Sequence, residues 1–170
     1  MALIINQGSE RDPRALPLFT RAGNFIANER NPPLRRERML EALELHRRDH
    51  PDAMVRSLVS THNCMGLLFA SRRTLVDMDQ WDLIQADDGY RKLDESEAPM
   101  PGDVVLYRDR HHRPSHVAQI IRVDLDIARA EHHVEVVSQW GRDGEYIHKI
   151  ADVPFLLGAP AEIWTERSFP

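Results

Sequence analysis

Apolar positions along this chain first repeat with helical spacing and then, in the second half, gather into short runs. Between residues 34 and 50, leucines and Met39 recur among arginines and glutamates, which predicts an amphipathic helix that Pro51 ends. Further along, apolar runs rich in β-branched residues follow turns at residues 103–107 and 115–122. These two runs predict strands.

More segments of the same character occur at residues 133–141, 144–149 and 158–165, and a shorter one precedes them at 89–93. Several short strands after one central helix, without a repeating β-α-β pattern, predict an α+β fold. Helices would pack on a mostly antiparallel sheet of about five to six short strands.

The chain is expected to form one domain. Residues 1–60 would be an N-terminal wrap and helical support, with a short helix near residues 19–28 and the helix at 34–50. Residues 61–170 would form the core, in which residues 77–88 connect the central helix to the strands. Both segments would belong to the same domain.

The only cysteine, Cys64, lies where a short polar turn leads into an apolar stretch. Apolar positions from Leu67 to Val76 recur at roughly helical spacing, so we expect a helix with Cys64 in its first turn and Asn63 as its N-cap. The positive end of a helix dipole favours a thiolate, which indicates a nucleophile. The alternative is a cysteine that only packs, since lone cysteines are commonly buried.

His116 stands at the start of the predicted strand 115–122 and is the candidate base for Cys64. A histidine there could accept the thiol proton and return it to a leaving amine. A third residue would orient the ring, and Gln139 is preferred because its longer amide supplies a carbonyl. Ser138 competes with it, since strand alternation lets only one of the two face the cleft. His148 is a further candidate for this role.

Three motifs occur in an order that resembles the NlpC-type cell-wall cysteine peptidases and their CHAP amidase relatives, of the papain-like superfamily. They are Asn63-Cys64-Met65-Gly66, Pro101-Gly102-Asp103-Val104-Val105-Leu106-Tyr107 and Ser115-His116-Val117-Ala118. Those families carry an Asp-Cys-Ser-Gly helix start, a Pro-Gly-Asp strand and a His-Val-Gly strand. The resemblance runs from about Asn63 to Trp164, and this chain departs from the pattern at Asn63, Met65 and Ala118.

The resemblance implies a papain-like fold and a cysteine-dependent amidase or peptidase that acts on peptidoglycan peptides or a related amide substrate. Cys64 would attack the carbonyl, His116 would protonate the leaving amine and Gln139 would orient the imidazole. Two alternatives remain open. One is a non-catalytic binding module on the same fold, and the other is an acyltransferase that passes the thioester to an amine or alcohol.

Composition and charge exclude several other classes. The net charge of −5 and the lack of a basic face argue against nucleic acid as a partner. No apolar run is long enough to insert in a membrane, and the opening residues Met1 to Asn6 do not form a signal peptide. The expectation is a protein that is cytoplasmic as synthesised, with export by another route left open.

No metal and no cofactor are expected. The acidic residues between Asp77 and Asp88 do not have calcium-loop spacing, and the adjacent His111 and His112 would point to opposite sides of an extended segment. We instead expect the basic loop at residues 109–114 to edge the substrate cleft.

Overall fold

The structure is a computed structural model, and it describes residues 14–94, 96–126 and 131–168. Its helices are α1 (Arg36–Asp49), α2 (Cys64–Phe69) and α3 (Trp81–Asp87). Its strands are β1 (Asn28–Glu29), β2 (Met54–Ser57), β3 (Leu75–Val76), β4 (Arg91–Lys92), β5 (Val104–Arg108), β6 (Pro114–Asp126), β7 (Glu131–Gln139), β8 (Glu145–Lys149) and β9 (Ala159–Thr165).

One large antiparallel sheet organises the described residues. Seven strands pair in the order β2-β8-β7-β6-β5-β9-β4, and β1 and β3 form a separate two-stranded sheet. The predicted α+β class with a mostly antiparallel sheet is therefore confirmed. The large sheet has more strands than predicted because the 1–60 segment contributes β2 at one edge.

The two faces of the large sheet carry different apolar clusters. We call one the α2 face, where Val104, Leu106 and Val117 pack with Cys64 and Met65. We call the other the Tyr107 face, where Tyr107 packs with a second set of buried side chains, namely Val105, Ala118, Ile120, Val134, Val136 and Val153. Both faces of the central strands are thus buried.

Helix α1 covers part of the Tyr107 face. The His46 ring packs edge-on against Trp140, with ring centroids 5.0 Å apart, and against Tyr146 at 5.4 Å. Trp140 and Tyr146 are themselves stacked, with centroids 4.1 Å apart. The predicted amphipathic helix is confirmed within two residues at its start and one at its end, and its buried residues are Met39, Ala42, Leu43 and His46.

Two sequence-based expectations about local structure are wrong. The helix after Cys64 ends at Phe69, because Ser71 and Arg72 adopt positive φ angles of 49° and 64°. Residues 19–28 are not helical, since Phe19 and Phe25 form an isolated antiparallel bridge. Residues 77–88 do connect the central helix to the later strands, and this segment also contains helix α3.

The opening residues Met1 to Asn6, on which the signal-peptide expectation depends, lie outside the described residues. Across the ranges that the structure describes, every helix is too short or too polar to span a bilayer.

Candidate functional site

Asn63 fixes the start of α2 and joins it to β3. Its Oδ1 accepts hydrogen bonds from the backbone N–H of Gly66 at 2.9 Å and of Val76 at 3.1 Å. Its Nδ2 donates to the Val76 carbonyl at 2.8 Å. The predicted N-cap is therefore confirmed. An aspartate at this position could not make the last of these bonds, since a carboxylate has no N–H for the Val76 carbonyl.

We expect Asn63→Asp to lower the free energy of unfolding by about 1 kcal/mol, through loss of one hydrogen bond and repulsion from the Val76 carbonyl. Asn63→Ala loses the cap and both bonds to Val76, so we expect about 3 kcal/mol. Urea unfolding of the two variants measures this difference. Equal stability of Asn63→Asp and wild type would contradict the role of the Nδ2 donor.

The sulfur of Cys64 is enclosed. Cys64 is only 6% exposed, and its Sγ lies 4.0 Å from the Met78 Sδ. Burial raises the pKa of the thiol to about 11, although backbone N–H groups of Val117, Met65 and Cys64 itself act in the opposite direction. At neutral pH the group is therefore a protonated thiol.

His116 lies on the other side of β6. It pairs directly with Tyr107, and the two rings are 5.2 Å apart. Neither ring nitrogen of His116 has a hydrogen-bond partner in the described part of the chain. Burial, and to a smaller extent the charge of nearby His148, lowers the pKa of His116 to about 3. The imidazole is neutral at physiological pH.

The structure does not assemble the predicted dyad of Cys64 and His116. Val117 packs with Cys64 on the α2 face, and successive residues of a strand point to opposite faces. His116 therefore points to the Tyr107 face, away from the sulfur. The order of the motifs brings the two residues near the same strand, but the packing of the sheet places them on opposite faces.

Gln139 is also not placed to orient His116. It pairs with Glu145 on β8, lies on the α2 face, and donates from Nε2 to the Val59 carbonyl at 2.8 Å. The two alternatives, Ser138 and His148, do share the Tyr107 face with His116. Ser138 Oγ lies 2.8 Å from His148 Nε2, and His148 Nδ1 lies 2.9 Å from the Lys149 carbonyl. These contacts satisfy His148 internally as a neutral ring.

An ionic cluster around the buried Glu145, which sequence reasoning missed, lies on the α2 face. The Glu145 carboxylate is almost fully buried and accepts from Arg72 Nε at 2.6 Å, with His62 Nε2 at 3.2 Å. Burial lowers the pKa of His62, while Glu145 acts in the opposite direction. The sequence signal for Glu145 was a charged residue directly after Gly144, at the start of the predicted strand 144–149. Such a cluster fixes β8 against the start of α2.

The exposed pair Phe155 and Leu156 was also missed. Each is 88% exposed, and both line a groove of about 560 Å³ together with residues of the basic loop 109–114. The sequence signal was an apolar triplet between Pro154 and Gly158. The basic loop was predicted to edge the substrate cleft, but the groove that it lines does not include Cys64.

Comparison of the sequence with known protein families, with curated proteins and with solved structures gives no match. Within residues 14–94, 96–126 and 131–168, no three histidine, cysteine, aspartate or glutamate side chains converge as ligands for a metal ion. The function must therefore be argued from the geometry itself.

Proposed function

We propose that this chain is a papain-like domain that binds a protein partner and does not hydrolyse amides. The observation that carries the proposal is the separation of Cys64 and His116 on opposite faces of β6. A cysteine hydrolase needs its base within hydrogen-bonding reach of the thiol, so that the thiolate forms and the leaving amine is protonated. Here the thiol is protonated and enclosed, and the imidazole is buried elsewhere.

The topology of the sheet and the order of the sequence motifs support a papain-like fold. A capped helix carrying cysteine packs on an antiparallel sheet, and the strand with Pro101-Gly102-Asp103 at its start pairs with the strand that contains His116. These features match the order of the resembled motifs. A fold of this kind serves binding as readily as catalysis, because function depends on the site and not on the architecture.

The reactivity of Cys64 tests the proposal. We expect iodoacetamide to modify native Cys64 slowly at pH 7, with a rate that rises only well above the reference thiol pKa of about 8.5. The His116→Phe variant should give the same profile. Urea-unfolded protein is the control, since it exposes the same thiol and should react at the rate of a simple thiol. Fast native alkylation at pH 7 that depends on His116 would overturn the proposal.

A cysteine amidase or acyltransferase acting on peptidoglycan peptides or related amides is the second candidate. The specific observation in its favour is the set of backbone N–H groups, from Val117, Met65 and Cys64, that act on the sulfur. Such donors would stabilise a thiolate and an oxyanion once the site opened. Its test is hydrolysis or acyl transfer by wild type, with acceptor amines added, that Cys64→Ala abolishes.

A further inference from the structure

We infer that the groove beside Phe155 binds an acidic segment of a partner protein that carries an apolar anchor. This inference rests on the proposed binding function and names the surface and the partner chemistry. We call the surface the Phe155 groove, and it is lined by Arg108, Asp109, Arg110, His111, Arg113, Phe155, Leu156, Gly158 and Ala159.

The apolar edge of the groove is held in place by its backbone. Residues Phe155–Leu157 form a single 3-10 turn, in which Leu157 N–H donates to the Pro154 carbonyl at 2.8 Å. Ser115 Oγ donates to the Leu157 carbonyl at 2.8 Å and so ties the turn to β6. Two large apolar side chains are therefore presented to solvent on a fixed turn. Because both side chains are held in place before a partner arrives, binding costs less conformational entropy.

Gly158 allows the turn to lie against the end of β5. Its φ is +91°, and an added Cβ would lie 2.4 Å from the Arg108 carbonyl oxygen and 2.6 Å from Ser115 Oγ. Only glycine combines that backbone angle with so close an approach. The close contact brings Phe155 and Leu156 beside the basic loop.

The loop side of the groove presents positive charge. Asp109 is occupied within the loop, where it accepts from Arg113 Nη2 at 3.0 Å and from the His111 N–H at 2.8 Å. Arg108 pairs with Glu162 at 3.1 Å. Arg110 is exposed, and within the described ranges its guanidinium contacts His111 Nε2 at 3.1 Å and no carboxylate. Arg110 is therefore available for an acidic partner.

These features favour a protein segment over a polyanion or a bilayer. A large apolar pair next to arginine matches the composition of protein-binding hot spots, which are rich in aromatic residues and arginine. The chain carries a net charge of −5, which repels extended polyanions such as nucleic acid and anionic membranes that would contact much of its surface. A short acidic segment would meet only the local positive charge of the groove. The groove is also concave, which suits an inserted side chain better than a flat membrane surface.

The test is selection of displayed 12-residue peptides on the full chain, followed by fluorescence anisotropy with the selected peptides. We expect glutamate- or aspartate-rich peptides with one or two large apolar residues. Phe155→Ala should weaken their binding by about 30-fold or more. Arg110→Glu should weaken it about tenfold at low salt and less at high salt. Leu45→Ser and Arg38→Glu, exposed positions on α1, are the matched controls and should bind like wild type.

Three outcomes would overturn the inference. The first is selected peptides that lack acidic residues or that bind Phe155→Ala as well as wild type. The second is Phe155-dependent binding to phosphatidylcholine–phosphatidylserine vesicles without peptide binding, and the third is a Phe155-dependent dimer in sedimentation. If one of these outcomes occurs while native Cys64 reacts slowly, only the assignment of the groove is wrong. If native Cys64 reacts fast and depends on His116, the proposed function is wrong.

Discussion

Acidification from pH 7 to pH 5 is expected to lower the free energy of unfolding by about 4 kcal/mol through two buried histidines, about 2 kcal/mol from each. Burial lowers the pKa of His116 to about 3 and that of His148 to about 4. In the unfolded chain both rings bind a proton below about pH 6.5, while in the folded protein they stay neutral. Stability therefore rises with pH and is lost as pH falls from about 6.5 toward these folded values.

Urea unfolding between pH 7.5 and pH 5 measures this effect. His116→Phe should reduce the pH dependence by about half, because phenylalanine keeps the ring packing on Tyr107 and has no titrating group. At pH 7 the variant should be at least as stable as wild type, since both ring nitrogens of His116 lack a partner among the described residues.

The control for this measurement is His112→Asn on the exposed basic loop. This variant should show the same dependence of stability on pH as wild type, because the His112 ring is exposed to solvent in both the folded and the unfolded protein. An unchanged slope in His116→Phe would mean that the His116 imidazole is solvated. It would then be free to serve as a base, which would favour the hydrolase candidate.

Gly66→Ala is expected to destabilise the protein by about 3 kcal/mol or more, although alanine is the better helix former by about 1 kcal/mol. A Cβ at Gly66 would lie 1.9 Å from the Thr74 carbonyl oxygen and 3.1 Å from the His62 Cβ. The clash is with backbone, so a rotamer change cannot relieve it. Helix α2 would have to move away from β3 and break the Asn63 contacts with Val76.

Thermal and urea unfolding of Gly66→Ala show whether the clash with Thr74 or the higher helix propensity of alanine has the larger effect on stability. Gly23→Ala is the control, since its φ is +86° and an added Cβ would meet no atom within 4 Å. It should cost only about 1 kcal/mol, from the backbone angle alone. Stabilisation by Gly66→Ala would show that α2 does not pack closely on residues 74–76, and the enclosed environment of Cys64 would then be in question.

The sequence pattern predicted much of the fold because several elements carry local signals. The charged and apolar spacing of α1 and the turn-bounded runs of β5 to β9 each identify an element without reference to the rest of the chain. Asn63 identified the start of α2 because its cap bond to Gly66 spans three residues. The glycine at position 66 was also part of the resembled motif, although only the structure gives its reason.

The sequence did not predict where α2 ends or that a strand comes after it. Leu75 and Val76 fit the helical spacing, yet they form β3, which pairs with β1 at Asn28–Glu29. That pairing joins residues more than forty positions apart in the chain. A local pattern of apolar residues cannot distinguish a helix from a buried strand when the partner is so distant.

By itself, then, the sequence determined the α+β class, most strand positions and the capped start of the Cys64 helix, because these depend on spacing and on contacts within a few residues. It did not determine which face of β6 meets that helix. Val104, Val105, Leu106 and Tyr107 are all buried, so β5, which pairs with β6, shows no alternation of polar and apolar residues that marks a face. Only the packing of α2 on Val117 and the pairing of His116 with Tyr107 decided that the thiol and the imidazole lie on opposite sides of the sheet.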